Sequence, residues 1–231
     1  MKQYYIRKLL EKDKLNEISS IIKNANTNDH WIDGLITNPR ATHNIKKNLQ
    51  LNNLDSSKII NDYIMQSLDN DSEFLYFTSA STTNLNLISK TESGGYYNPH
   101  MDDFSCGDFS TTVFLNNPED YGGGELCLYL GGQEEIKIKL DAGWAVTYQT
   151  GILHRVSKVS FGNRYVSIFW TKSKIKDLFM RNIYYELKII QNSLGQESKL
   201  IHSLDCIGAN KNPSFVIGNM LNDILRKYSS Y

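Results

Sequence analysis

The sequence predicts a mainly β protein with flanking helices, its core an all-β sandwich or jelly roll. Three observations carry this. Between Phe74 and Thr171 the chain breaks into short runs rich in β-branched and aromatic residues, separated by Gly, Asn, Asp and Ser. On either side of that stretch the apolar residues recur at helical spacing instead. And 231 residues with 40% apolar content are enough to bury one sizeable core.

Taken in order, Leu15, Ile18, Ile21, Ile22 and Ala25 form a helical stripe, with Asp13 placed to cap it. Residues 26–53 are polar and broken by Gly34 and Pro39, which predicts a loop with room for a short strand. Asp55 or Ser56 can cap a second helix carrying Ile59, Ile60, Tyr63, Ile64, Ser67 and Leu68, ended by Asn70-Asp71-Ser72. The predicted strands are 74–80, 84–90, 109–116, 124–130, 135–140, 144–149, 152–159 and 164–171. Alternation is plainest in Ile136-Lys137-Ile138-Lys139-Leu140. In the last strand it sets Arg164, Val166, Ile168 and Trp170 on one face, the inward one. Ile175, Leu178, Phe179, Ile183, Leu187 and Ile190 return to helical period, and 216–228 is a further amphipathic stretch. The expected organisation is one domain over 1–231: an N-terminal helical, substrate-side segment (1–73), a β core (74–173) and C-terminal helices (174–231).

Composition narrows the function classes. Lys plus Arg equals Asp plus Glu, 25 each, so no electrostatic funnel for nucleic acid and no polybasic membrane patch is expected. The N-terminus lacks the apolar run of a signal peptide, and no stretch has the length and hydropathy of a membrane helix. Cys106, Cys127 and Cys206 are odd in number and without metal-binding spacing, which suits free thiols in a reducing cytoplasm. A homo-oligomer is compatible with all of this.

The chemistry gathers in two short pieces, Tyr97-Asn98-Pro99-His100-Met101-Asp102 and His154-Arg155-Val156. In an extended chain, side chains two apart leave the same face, so His100 and Asp102 can converge on one point. His154 supplies a second imidazole. Two imidazoles and one carboxylate form the facial donor set of a non-haem Fe(II) oxygenase, with coordination positions left open. Zinc accepts the same ligands, but a zinc hydrolase has no use for an inward Arg164. A buried guanidinium without an anion is costly, so Arg164 implies a carboxylate ligand inside the barrel. The competing reading is a surface hairpin Arg after the Gly162-Asn163 turn, weighed against the inward one on the same desolvation argument. His30, His43 and His202 lack partnered ligands and read as ordinary hydrogen-bonded residues. Gly122-Gly123-Gly124 has no strand-to-helix context for phosphate and reads as a tight turn between strands. Tyr97 is a candidate contact for cosubstrate or substrate, or else a core aromatic. Asp103, Asp108 and Glu125 are candidates to orient a ligand imidazole, or else solvated loop charges. Cys106, four residues after Asp102, reads as an inert thiol, with a role near the metal as the alternative.

These pieces in order resemble the Fe(II)/2-oxoglutarate dioxygenases. More narrowly, Asp108–Tyr121 with Gly123-Gly124-Glu125-Leu126, Leu140-Asp141-Ala142-Gly143, Tyr148, His154-Arg155-Val156, Gly162-Asn163-Arg164 and Phe169-Trp170 resemble the PKHD-type (prolyl/lysyl hydroxylase domain) hydroxylases. Trp31-Ile32-Asp33-Gly34 and Lys47-Asn48-Leu49-Gln50-Leu51 are similar to the same family's pattern, so the resemblance runs from about Trp31 to Ile190. It implies a double-stranded β-helix core and Fe(II) on His100, Asp102 and His154. It further implies Arg164 on the distal carboxylate of 2-oxoglutarate, dioxygen as co-reactant and L-ascorbate as reductant. Prolyl-hydroxylase relatives carry a cosubstrate-binding Tyr upstream of the first ligand; here that region is Ser89-Lys90-Thr91-Glu92. Lys47–Gln50 is placed to line the substrate mouth. The expected activity is hydroxylation of an amino-acid side chain, prolyl-type, in a protein or peptide, with 2-oxoglutarate converted to succinate. The alternatives are the same chemistry on a small metabolite, or a catalytically silent cupin-like binding module. Trp170 stands where the nucleic-acid demethylase branch carries a second Arg, and Asp102 occupies the place a halogenase leaves to halide, so neither is expected.

Overall fold

The computed structural model describes residues 2–27, 30–37, 41–132, 134–197 and 213–229. In chain order the elements are β1 (Tyr4–Lys8), α1 (Lys12–Thr27), β2 (Trp31–Asp33), a 3-10 turn (Gly34–Thr37), β3 (Lys46–Lys47), β4 (Leu49–Leu51), α2 (Leu54–Asp69) and α3 (Ser72–Thr78). The barrel strands follow: β5 (Ala80–Glu92), β6 (Tyr96–His100), β7 (Phe109–Phe114), β8 (Tyr121–Gly122), β9 (Leu126–Leu128), β10 (Ile136–Ile138), β11 (Trp144–Gln149), β12 (His154–Val156) and β13 (Phe161–Ser173). Two helices, α4 (Leu178–Glu197) and α5 (Pro213–Tyr228), complete the described chain.

The strands make two sheets. The larger runs β1-β11-β7-β13-β5-β4-β2 with β8 added to β13; the smaller runs β10-β9-β12-β6-β3. All the strand pairs are antiparallel. Phe114, Val146, Tyr148 and Val166 from the larger sheet pack with Leu126, Leu128 and Ile138 from the smaller, so the two sheets face each other across an apolar interior. The larger sheet's outer face is covered by helices. There Phe109, Val113, Tyr165 and Phe169 meet Ile60, Ile64, Leu68, Phe74, Phe77 and Tyr185. Each such side chain removed from water contributes roughly 1.5–3 kcal/mol. Strand β13 is therefore buried on both faces: Val166 goes to the interior and Tyr165 and Phe169 to the helices.

Several local expectations need correcting. Residues 74–80 are not a strand. Asp71 accepts a hydrogen bond from Phe74 N (2.9 Å) and caps α3, burying Phe74, Phe77 and Thr78 on one face. Helix spacing and strand alternation cannot be told apart in so short an aromatic run. Ser79, at φ 48°, then turns the chain into β5. Helix α2 is capped by Asn53, whose side chain accepts from Ser56 N, and not by Asp55 or Ser56. Asp13 lies within the first turn of α1 rather than at its cap. The described residues of 26–53 include three short strands: β2 and β4 extend the larger sheet and β3 the smaller. Strand β1, which was not anticipated, pairs with β11 from Tyr4↔Tyr148 to Lys8↔Trp144. Among the described residues, no helix is long and apolar enough to cross a membrane.

Candidate metal and cosubstrate site

His100 ends β6 and His154 begins β12; the two strands pair there, with His100 and His154 directly opposite. Asp102 follows two residues after β6. The topology thus brings His154 to two side chains more than fifty positions before it, with the donor atoms of all three within 4.8 Å of one another. Asp102 Oδ1 lies 3.8 Å from the Nε2 atom of each histidine. Each imidazole is oriented by its own backbone: Nδ1 lies 2.9 Å from the carbonyl two residues earlier, Asn98 for His100 and Ile152 for His154. With Nδ1–H donating to a carbonyl, the Nε2 lone pair is left for a metal. Burial, and then the neighbouring His154, lower the His100 pKa to about 4, so the neutral, metal-ready imidazole prevails at neutral pH.

The ring of Tyr97 stacks on His100 at 3.5 Å between centroids and 17° between planes. Tyr148 meets His154 edge-on at 5.2 Å. Buried Lys46, on the strand opposite Tyr97, lies 5.1 Å from the Tyr97 ring and donates to Gly34 O and Thr37 Oγ1. Burial pushes its ammonium pKa down, against the pull of Asp102. The sequence reading singled out Lys47; it is the neighbouring Lys46 that is buried beside Tyr97. Asn48 and Gln50 are engaged instead in the protein's own hydrogen bonds, to Ser89 Oγ (2.7 Å) and Thr37 Oγ1 (2.6 Å).

Arg164 points into the barrel and is 2% exposed. Its guanidinium carbon sits 5.5 Å from the Phe114 ring centroid. Tyr121, 1% exposed, lies beside it without closing a hydrogen bond of normal geometry. The Tyr121 hydroxyl and Arg164 Nε are both buried with no partner among the described residues. Burial pushes the Tyr121 phenol up and the Arg164 guanidinium down. The Tyr148 phenol, beside His154, is likewise raised by burial, with the charge of Asp102 adding to the rise and that of Arg164 opposing it. Gly124 completes the cradle at φ 69°: a Cβ there would stand 2.9 Å from the Tyr121 ring and 3.1 Å from Arg164 Cδ. A glycine-rich turn was legible; its packing against Arg164 was not.

The three carboxylates named as possible orienters of the imidazoles do not serve that purpose. Asp103 accepts from Ser105 N, Glu125 from Ser157 Oγ, and Asp108 from Ser173 N, Lys176 and Arg181. Asp102 is instead held by Ser110 Oγ (2.7 Å) and Trp170 Nε1 (3.0 Å). His30 meets Asn53 and His43 pairs with Asp33, while His202 lies outside the described residues. Cys106 is partly exposed, and its thiol pKa is raised by burial and by Asp102.

Two histidines and a carboxylate on one point suit a divalent iron with open positions. The unpaired, buried Arg164 Nε and Tyr121 hydroxyl suit the far carboxylate of a keto acid bound to it. The residues therefore fit both groups.

Comparison with known proteins agrees with this geometry. A family model described as the 2OG-Fe(II) oxygenase superfamily matches residues 86–172, which span the donor set and Arg164. A PKHD-type hydroxylase of Aliarcobacter butzleri is 32% identical over 196 residues, covering 79% of this chain and 84% of that one. Among solved structures, a Trichoplax adhaerens prolyl hydroxylase in complex with a hypoxia inducible factor peptide fragment superposes with TM-score 0.60 at 15% identity, covering 74% of this chain and 84% of that one. A Pseudomonas putida prolyl-4-hydroxylase gives 0.57 at 16%, with 74% and 92% covered. Those two likenesses establish the jelly-roll fold. The level of identity to the bacterial relative, over most of both chains, establishes the family: this chain belongs to the PKHD-type hydroxylases of the 2OG-Fe(II) oxygenase superfamily.

Proposed function

We propose that the enzyme hydroxylates an amino-acid side chain, of prolyl type, within a protein or peptide. His100, Asp102 and His154 hold Fe(II), Arg164 and Tyr121 hold the distal carboxylate of 2-oxoglutarate, and ascorbate keeps the iron reduced. When bound, iron and 2-oxoglutarate together supply the oxidation: one oxygen atom of dioxygen leaves in succinate, with release of carbon dioxide, and the other enters the product hydroxyl.

The protein's part is positioning and exclusion of water. Backbone carbonyls of Asn98 and Ile152 aim the two imidazoles. Tyr97, expected as a cosubstrate contact, serves in this reading to hold the His100 ring by stacking. The guanidinium and phenol are both buried, the guanidinium against the Phe114 ring, where a charge-assisted bond to a carboxylate is stronger than in water. Tyr121 supplies from β8 the tyrosine phenol that Ser89–Glu92 lacks.

The observation that carries the macromolecular substrate is the apolar character of the site's exposed surroundings. Met101, between two ligands, is 64% exposed; Phe104 is 74% exposed; Leu153, just before His154, is 39% exposed. Large apolar side chains left in water beside a reactive centre mark a surface for a partner. A small metabolite calls instead for a concave pocket that encloses most of its surface.

The test is anaerobic titration of 2-oxoglutarate into the protein with and without Fe(II), following the visible charge-transfer band. Wild type and Arg164→Ala are compared, then a peptide library is offered under air. An iron-dependent band, weaker cosubstrate binding in Arg164→Ala, and peptides gaining one oxygen atom are expected. Absence of the band overturns the cofactor assignment. A band with turnover on amino acids or other metabolites but on no peptide overturns the substrate class.

A further inference from the structure

The two oxygens of Asp102 are treated differently. Oδ1 faces both histidine Nε2 atoms at 3.8 Å. Oδ2 accepts from Ser110 Oγ at 2.7 Å and from Trp170 Nε1 at 3.0 Å. These two donors are cross-strand partners on β7 and β13, at the centre of the larger sheet, so they form a rigid pair. Ser110 is 1% exposed, and its oxygen also lies 3.1 Å from Thr150 Oγ1. A serine has one proton to give. Because an ionised carboxylate only accepts, Ser110 must donate to Asp102, and Thr150 must donate to Ser110. The direction of the Thr150–Ser110–Asp102 chain is thereby set.

We infer that Ser110 and Trp170 are positioning residues that lock Asp102 as a one-oxygen metal ligand. The inference rests on the metal-site reading proposed above and adds to it a rule for how many positions stay open. Six-coordinate iron with two imidazoles and one carboxylate oxygen retains three positions. A bidentate 2-oxoglutarate and dioxygen need all three. Were Asp102 to swing and bind through both oxygens, one of those positions would be lost. A carboxylate whose second oxygen already accepts an indole N–H and a hydroxyl at short distance has little reason to swing. The lock also accounts for Trp170, whose indole N–H reaches the carboxylate from the strand that carries Arg164.

The experiment uses the full chain, stripped of metal, with Co(II) as the probe because its visible spectrum reports coordination number. Ser110→Ala, Trp170→Phe, the double variant and Ser110→Thr are titrated with Co(II), then with 2-oxoglutarate, and thermal unfolding is recorded without metal. Each single loss of a donor is expected to weaken Co(II) binding about 10-fold and the pair up to about 100-fold, the usual range for groups that orient a ligand. The cobalt spectrum should shift and 2-oxoglutarate should bind more weakly, while Ser110→Thr, which keeps the hydroxyl, stays near wild type. If the donor-deleted variants unfold earlier yet keep the wild-type spectrum and affinities, Ser110 and Trp170 are merely structural and the lock is wrong. Should Trp170→Phe fail to fold, Ser110→Ala against Ser110→Thr decides the same question. If wild type itself takes up no Co(II), the metal-site reading falls, and the lock with it.

Discussion

Gly124→Ala tests the cradle around Arg164 without removing any group proposed to touch cosubstrate. At φ 69° the alanine sits in left-handed backbone, which costs roughly 1–2 kcal/mol. Its methyl would stand 2.9 Å from the Tyr121 ring and 3.1 Å from Arg164 Cδ. Neither neighbour has room to yield. Tyr121 is 1% exposed with Lys139 Nζ 4.2 Å from its ring centroid, and Arg164 is 2% exposed. Overpacking of that kind adds about 1–3 kcal/mol. Gly131 is the control: its φ is 87°, but a Cβ there meets nothing within 4 Å. Gly131→Ala should therefore lose only the backbone contribution, a fall in Tm of roughly 2–8 °C for a chain of this size, and Gly124→Ala roughly 4–20 °C. Only Gly124→Ala should weaken 2-oxoglutarate, by about 10-fold or more, as one charge-assisted bond is pulled out of line. The assay is differential scanning fluorimetry of the metal-free protein, then cosubstrate titration on the iron form. If the two variants unfold alike and bind 2-oxoglutarate alike, Gly124 is a turn residue only and the cradle argument fails.

Three further outcomes follow from the same geometry. Tyr121→Phe should weaken 2-oxoglutarate binding by about 10-fold while leaving Fe(II) affinity unchanged, measured by paired titrations; an unchanged cosubstrate affinity removes Tyr121 from the site. Asp71→Ala should cost about 2–4 kcal/mol in urea unfolding, because it deletes both the cap of α3 and the buried partner of Arg7; Asp71→Asn, which keeps a capping oxygen, should cost less. The Glu135 carboxylate, held by two hydrogen bonds from Arg155, has its pKa lowered from 4.5 to about 2. Its contribution to stability is thus present above pH 4.5 and is lost as pH falls toward 2, where the folded carboxylate at last takes the proton the unfolded chain took earlier. Glu135→Gln should flatten the stability profile over that window, and an unchanged slope would show that the pair is not coupled to folding.

The sequence alone predicted the period-two core and the helices on either side of it, and it named His100, Asp102, His154 and Arg164 as candidates, because each of these readings rests on spacing along one strand or on a motif read in order. What it could not supply are contacts between strands distant in sequence. The hydrogen bonds of Ser110 and Trp170 to Asp102, the stacking of Tyr97 on His100, and the approach of Tyr121 and Gly124 to Arg164 depend on register and sheet order. A one-residue slip would turn each of those side chains to the other face. The same limit explains α3 and β1. Seven aromatic-rich residues fit helix and strand equally until Asp71 caps one choice, and five residues at the N-terminus become a strand only because β11 leaves an edge for them. Local pattern sets which residues are able to meet; closure of the two sheets decides which of them do.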